Sequence, residues 1–181
     1  NVLVTPTKQA IFMTMLAMVD DGDEVIVPDI AWVTFDACAH LAGGKVRHAK
    51  LSAEKNFRLT PEAVTERITK RTKLLVLNSP SNPCGAVLTK DDVRGIADLA
   101  KDHNIYVLAD EIYNQLVFEG EHTSISSLDG MFERTITVDG FSKTYAMTGW
   151  RVGYMVADAA LVKDMVTFHK TITICPNVPA Q

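Results

Sequence analysis

The sequence predicts a doubly wound α/β domain, a mostly parallel sheet with helices on both faces. Six short apolar, β-branched runs recur, at residues 24–27, 45–49, 74–78, 105–109, 135–139 and 152–156. Each is near the usual strand length of about five residues. Several lack polar alternation, the mark of strands buried on both faces. Segments with helical start signals separate them, and alternating strands and helices are the pattern of this fold class.

Taken in order, the chain opens without a Met in the apolar run Val2-Leu3-Val4 and stops at Pro179-Ala180-Gln181. Both ends look cut, so a piece of a longer protein is expected. Thr5-Pro6 reads as N-cap and first helical residue of a helix reaching about Val19, where Asp21-Gly22 turns the chain. That helix is apolar nearly all round and is expected to be buried. Thr60-Pro61 repeats the same start signal. Thr89-Lys90-Asp91-Asp92 is a capping box with Asp in place of Glu, and Val93, Ile96, Ala97 and Ala100 follow on one stripe. Asp158 is placed to cap a last helix carrying Leu161, Val162, Met165 and Val166. No repeat, linker or biased tract interrupts the alternation, so residues 1–181 are read as one domain.

Composition narrows the function. The 181 residues suit about one domain, and 47% apolar with 22% charged residues is a globular balance, not a disordered one. A net charge of −4 argues against nucleic acid or an anionic membrane as partner. The longest apolar stretch, residues 11–19, is about half of the ~20 residues a membrane span needs. Cys38, Cys84 and Cys175 are widely spaced with no C-x-x-C pair, so neither a disulfide framework nor a metal site is expected. With no leader at the start, the cytoplasm is the expected location.

In a doubly wound sheet, ligands sit beyond the carboxyl ends of the strands. After residues 74–78 comes Asn78-Ser79-Pro80-Ser81-Asn82-Pro83-Cys84-Gly85, a rigid turn in which Asn82-Pro83 is a candidate cis bond. After 105–109 comes Asp110-Glu111-Ile112-Tyr113, two carboxylates that are costly at a buried strand mouth unless paired or used. After 135–139 comes Gly140-Phe141-Ser142-Lys143, then Met147-Thr148-Gly149-Trp150-Arg151-Val152-Gly153. Taken singly, these read as a turn, a helix cap and a surface lysine. Together they are spaced by 28 residues from Asn82 to Asp110 and 33 from Asp110 to Lys143, each about one strand–helix–strand unit. Three successive parallel strands would deliver Asn82, Asp110 with Tyr113, and Lys143 to one rim.

Gly-Phe-Ser-Lys followed by Gly-Trp-Arg-Val-Gly resembles the lysine-attachment signature of the class I/II aminotransferases, pyridoxal-phosphate enzymes of fold type I. Asn-x-Pro-x-Asn-Pro-Cys-Gly and Ala-Asp-Glu-Ile-Tyr resemble two further motifs of that family, in the same order and spacing. The likeness runs from Val2 to Gln181 and is nearest the aspartate and aromatic aminotransferase branch. It implies that the chain is the large cofactor-binding domain, without the small domain and N-terminal segment. It further implies that Lys143 forms the Schiff base with pyridoxal 5′-phosphate and then shuttles a proton at the substrate α-carbon. By the same likeness Asp110 pairs with the pyridine nitrogen, and Tyr113 and Asn82 donate to the ring oxygen. Trp32 stacks on the ring, and Trp32 and Asn82 also face the substrate. Thr7 and Lys8, at a helix start, hold the phosphate together with Ser142 and Arg151. A hydroxyl residue often stands three before the lysine in this family, where this chain has Gly140.

The implied reaction transfers the amino group of an L-amino acid, aspartate or aromatic, to a 2-oxo acid such as 2-oxoglutarate, in a homodimer. The fragment alone is expected to be poorly active, because the substrate-carboxylate arginine lies outside it. Two other readings share these residues: a carbon–sulfur β-lyase on the same scaffold, and a non-catalytic pyridoxal-phosphate-sensing domain of a regulator.

Overall fold

A computed structural model describes residues 1–173 and 175–180. In chain order it contains β1 (Val2–Val4), α1 (Thr7–Met18), β2 (Glu24–Pro28), α2 (Thr34–Leu41), β3 (Lys45–Ala49) and α3 (Pro61–Thr65). There follow β4 (Thr72–Asn78), α4 (Lys90–Asp102), β5 (Tyr106–Asp110), β6 (Thr135–Gly140), β7 (Gly153–Val156) and α5 (Ala159–Ile172). The strands form one sheet in the order β1-β7-β6-β5-β4-β2-β3. The five strands from β6 to β3 run parallel, while β7 pairs antiparallel with both β6 and β1.

The uninterrupted apolar strands are buried on both sides, as their composition requires. Val25, Val27, Leu74, Val76, Leu108, Ile136 and Val138 enter the core that holds α1, α2 and α5. Their neighbours Ile26, Leu75, Leu77, Val107 and Ala109 enter the opposite core, beside α3 and α4. All six expected strands are present, with bounds met to within two residues, and the sheet is doubly wound.

The helix starts agree with the sequence in three cases out of four. Thr60 accepts from the Ala63 N–H, Thr89 and Asp92 form the reciprocal capping box, and Asp158 accepts from the Ala160 N–H. The fourth needs correction. Thr5 is not the N-cap of α1: its N–H donates to the Gly153 carbonyl at 3.0 Å, which extends the β1–β7 pairing one residue further. The helix therefore begins at Thr7 with Pro6 at the cap position and no side-chain cap. Strand β1 and helix α2 were not anticipated, and β7 starts at Gly153, one residue later than expected. No helix among the described residues is long and apolar enough to cross a membrane. The three cysteines are free thiols, and the described residues contain no cluster of three metal-ligating side chains.

Candidate active site

Side-chain alternation sets the floor of the site. In β4 and β5 the residues with the parity of Val76 and Leu108 face α1, so Asn78 and Asp110 face it too. They are register partners at the carboxyl ends of adjacent parallel strands. Asn78 donates to the Asp110 carbonyl at 3.0 Å, and its own side-chain oxygen accepts the Asn82 N–H at 2.8 Å. A cleft of about 110 Å³ opens above this floor. Seven of the expected site residues line it: Thr7, Lys8, Trp32, Asn82, Asp110, Tyr113 and Lys143. The parallel neighbours β4, β5 and β6 thus bring together the three rim positions that the 28- and 33-residue spacings implied. Asn78 and Ile112 complete the lining. Asn78 opens the Asn-x-Pro motif, and only its strand parity marks it as a cleft residue.

The two carboxylates after β5 part company. Glu111 turns away, with its Oε2 3.1 Å from His122 Nε2, a close contact that falls short of hydrogen-bond geometry. Asp110 is only 3% exposed and accepts the Ile112 N–H at 3.3 Å. Burial pushes its pKa up to about 7; the Ile112 N–H opposes the rise, the charges of Asp139 and Glu111 add to it, and no cation takes part. A buried acid facing a cleft without a basic partner is a seat for a ligand carrying an N–H donor. Above it, Lys143 Nζ stands 5.7 Å from the centre of the Tyr113 ring, and Lys8 Nζ 4.9 Å from that of Trp32. Trp32 is fixed by an edge-on contact with Phe35, their ring centres 5.7 Å apart.

The opposite wall is the start of α1. The N–H groups of Gln9 and Ala10 bond to the Pro6 carbonyl, whereas those of Thr7 and Lys8 have no acceptor among the described residues. With no acidic side chain in the first turn, this end offers two free donors and the positive end of a twelve-residue helix to an anion. Its placement depends on two register-paired glycines, Gly140 and Gly153. A Cβ on Gly140 would lie 2.8 Å from Thr7 Oγ1, so a hydroxyl side chain three residues before the lysine has no room. The Thr7 hydroxyl itself occupies that space and donates to the Asp139 carbonyl at 3.3 Å.

A Cβ on Gly153 would lie 2.6 Å from Thr7 Oγ1 and 2.9 Å from the Asp139 carbonyl oxygen. Backbone oxygen cannot yield as a flexible side chain can. Gly153→Ala is therefore expected to destabilise the chain by about 1–3 kcal/mol, read from the urea midpoint. An unchanged midpoint would contradict the tight seat.

Two expected site residues are not in the cleft lining. Ser142 is half-buried on the lysine loop. Arg151 is exposed, has a left-handed φ of 53°, and donates from Nη1 to the Thr148 carbonyl at 2.7 Å.

The profile of the family described as Aminotransferase class I and II matches residues 1–181. The chain belongs to this family. It is 45% identical over 170 residues to an aspartate aminotransferase of Pyrococcus abyssi, covering 93% of this chain and 44% of that relative. It is 44% identical over 171 residues to aromatic-amino-acid aminotransferase 2 of Thermococcus litoralis, covering 94% and 44%. Among solved structures, the aromatic aminotransferase of Pyrococcus horikoshii superposes with a TM-score of 0.96 at 42% identity, over 99% of this chain and 48% of that one. The chain thus spans about half the length of the curated relatives it matches, and its fold is that of these fold type I neighbours.

Proposed function

We propose that residues 1–181 are the cofactor-binding large domain of a pyridoxal-phosphate-dependent aminotransferase. The proposed reaction moves the amino group of an L-amino acid, aspartate or aromatic, to a 2-oxo acid such as 2-oxoglutarate. The observation that carries this is the single cleft that unites a lysine amine, a buried unpaired carboxyl, an aromatic wall and a free helix start. The names of the relatives support the substrate class.

The residues present fit the cofactor. When bound, pyridoxal phosphate supplies an aldehyde for the lysine amine and a pyridine ring that takes up electrons. Asp110 receives the ring N–H; being desolvated, its carboxyl gains most from a cationic partner. Trp32 covers the ring face, while Tyr113 and Asn82 donate to the ring oxygen and, with Trp32, Asn82 borders the substrate. The Thr7 and Lys8 N–H groups hold the phosphate, and Ser142 and Arg151 are assigned to it by family likeness. Lys143 is the base that takes and returns a proton at the substrate α-carbon. Pairing of two copies into a homodimer and a cytoplasmic location belong to the same proposal.

The full-length protein, loaded with pyridoxal phosphate and given an amino-donor panel with 2-oxoglutarate, is expected to form glutamate from aspartate or an aromatic amino acid. Residues 1–181 alone are expected to bind the cofactor and turn over poorly. Release of pyruvate and ammonia without an acceptor would overturn amino transfer in favour of a β-lyase.

A further inference from the structure

Asp139 ends the apolar part of β6, on the sheet face opposite α1, just before the loop that carries Lys143. Its carboxylate gathers donors from segments remote in sequence. Oδ1 accepts the Gly140 N–H at 2.6 Å, and Oδ2 accepts the Tyr154 hydroxyl at 2.9 Å and the Asn114 side-chain N–H at 3.0 Å. Tyr154 stands directly across the β6–β7 pair, and Asn114 lies with Tyr113 in the turn that follows Asp110. The Asp139 carbonyl accepts the Thr7 hydroxyl, so the start of α1 joins the same residue.

The tie continues into the lysine loop. The Tyr154 ring packs on Phe141 with centres 5.9 Å apart, and Phe141 packs on Tyr145 at 5.7 Å. Inside the loop the Phe141 carbonyl accepts from the N–H groups of Tyr145 and Met147, and the Lys143 carbonyl from that of Ala146. Burial, followed by the bond to Asp139, pushes the Tyr154 pKa up to about 12, so its hydroxyl remains a donor. Hydrogen bonds to an ionised acceptor are about twice as strong as neutral ones, and here three converge on one carboxylate.

We propose that Asp139 is a positioning residue for the reaction: with Tyr154, Asn114 and the Gly140 N–H, it sets where the Lys143 loop stands relative to the 110–113 turn and the start of α1. Asp139 is not itself among the cleft-lining residues; its carbonyl meets the Thr7 hydroxyl, and its carboxylate acts through the groups it holds. The assignment to catalysis rests on Lys143 being the reacting amine; the mechanical tie itself does not.

Tyr154→Phe keeps the ring on Phe141 and removes only the hydroxyl. Asp139→Asn replaces one of the two acceptor oxygens by a donor, so either the Gly140 N–H or the Tyr154 and Asn114 donors lose their acceptor. Thr89→Ala, which opens the α4 capping box outside the cleft lining, is the control for a general loss of stability. In the cofactor-free full-length protein, amide hydrogen exchange in residues 140–147 is expected to be about tenfold faster in both test variants and unchanged in Thr89→Ala. In the loaded enzyme, kcat is expected to fall roughly tenfold in both test variants with KM little changed, because a displaced amine affects the chemical step more than donor binding. Unchanged exchange in 140–147, or faster exchange with kcat intact, overturns the proposal. Absence of a covalent cofactor adduct on wild-type Lys143 would instead sink the functional reading, and the exchange data would still report on the tie.

Discussion

Lys143→Ala in the full-length protein is expected to lower kcat/KM for amino transfer by about 10⁴-fold and to abolish the borohydride-reducible cofactor adduct at position 143. A positioned acid–base group is worth about 10²–10⁴-fold on its own, and this side chain is assigned nucleophilic work as well. Two amines border the cleft, and their settings differ. Lys8 Nζ lies over the Trp32 ring at 4.9 Å, on the wall formed by the free start of α1. Lys143 Nζ lies 5.7 Å from the Tyr113 ring, on the loop beyond β6 and on the side of the buried Asp110. Lys8→Ala is accordingly expected to weaken cofactor binding while leaving the adduct on Lys143. An adduct found by mass spectrometry on Lys8, or a Lys143→Ala enzyme with undiminished turnover, would reverse the assignment.

What could be read from the sequence follows from burial. Strands β2, β4 and β5 send apolar side chains into both cores, so their apolar runs are nearly unbroken and stand out, while β6 shows as the alternation Thr135-Ile136-Thr137-Val138. Strand β1 is a three-residue edge strand with Val2 and Val4 exposed, and α2 is an eight-residue helix burying only Phe35, Cys38 and Ala39. Neither carries enough periodicity to be seen. At Thr5 the local signal, Thr before Pro, is that of a cap, and it is overridden by a strand bond to Gly153, distant in sequence. The rim residues were legible because parallel strands repeat at a near-constant chain spacing. Asp139 was not, because it reads as a strand's last residue and its partners Asn114 and Tyr154 lie 25 and 15 positions away. The departure at Gly140 was visible, yet its reason, the Thr7 hydroxyl in the space a side chain would need, exists only in three dimensions.

Asp110→Asn separates what this residue does for catalysis from what it costs the fold. In the cofactor-free protein burial pushes its pKa up to about 7 from the ordinary carboxyl value of 3.8. Between those values the folded chain binds a proton that the unfolded chain has released, so the group's contribution to stability falls as pH rises from about 4 to about 7. The interval corresponds to about 4 kcal/mol, an upper figure for so buried a group. Asparagine can still accept the Ile112 N–H but cannot ionise. The cofactor-free Asn variant is therefore expected to equal the parent near pH 4 and to be more stable by up to about 4 kcal/mol at pH 8, measured by urea unfolding. The loaded enzyme is expected to respond oppositely, losing about 10²–10³-fold in kcat with the loss of a fixed charge aimed at the reacting ring. Bound cofactor is also expected to stabilise the parent more than the variant at pH 8, since only the parent has a charge to neutralise. If the variant is no more stable at pH 8 than the parent, the carboxyl is not held unpaired, and the cleft floor loses the property that suits it to a cationic ring.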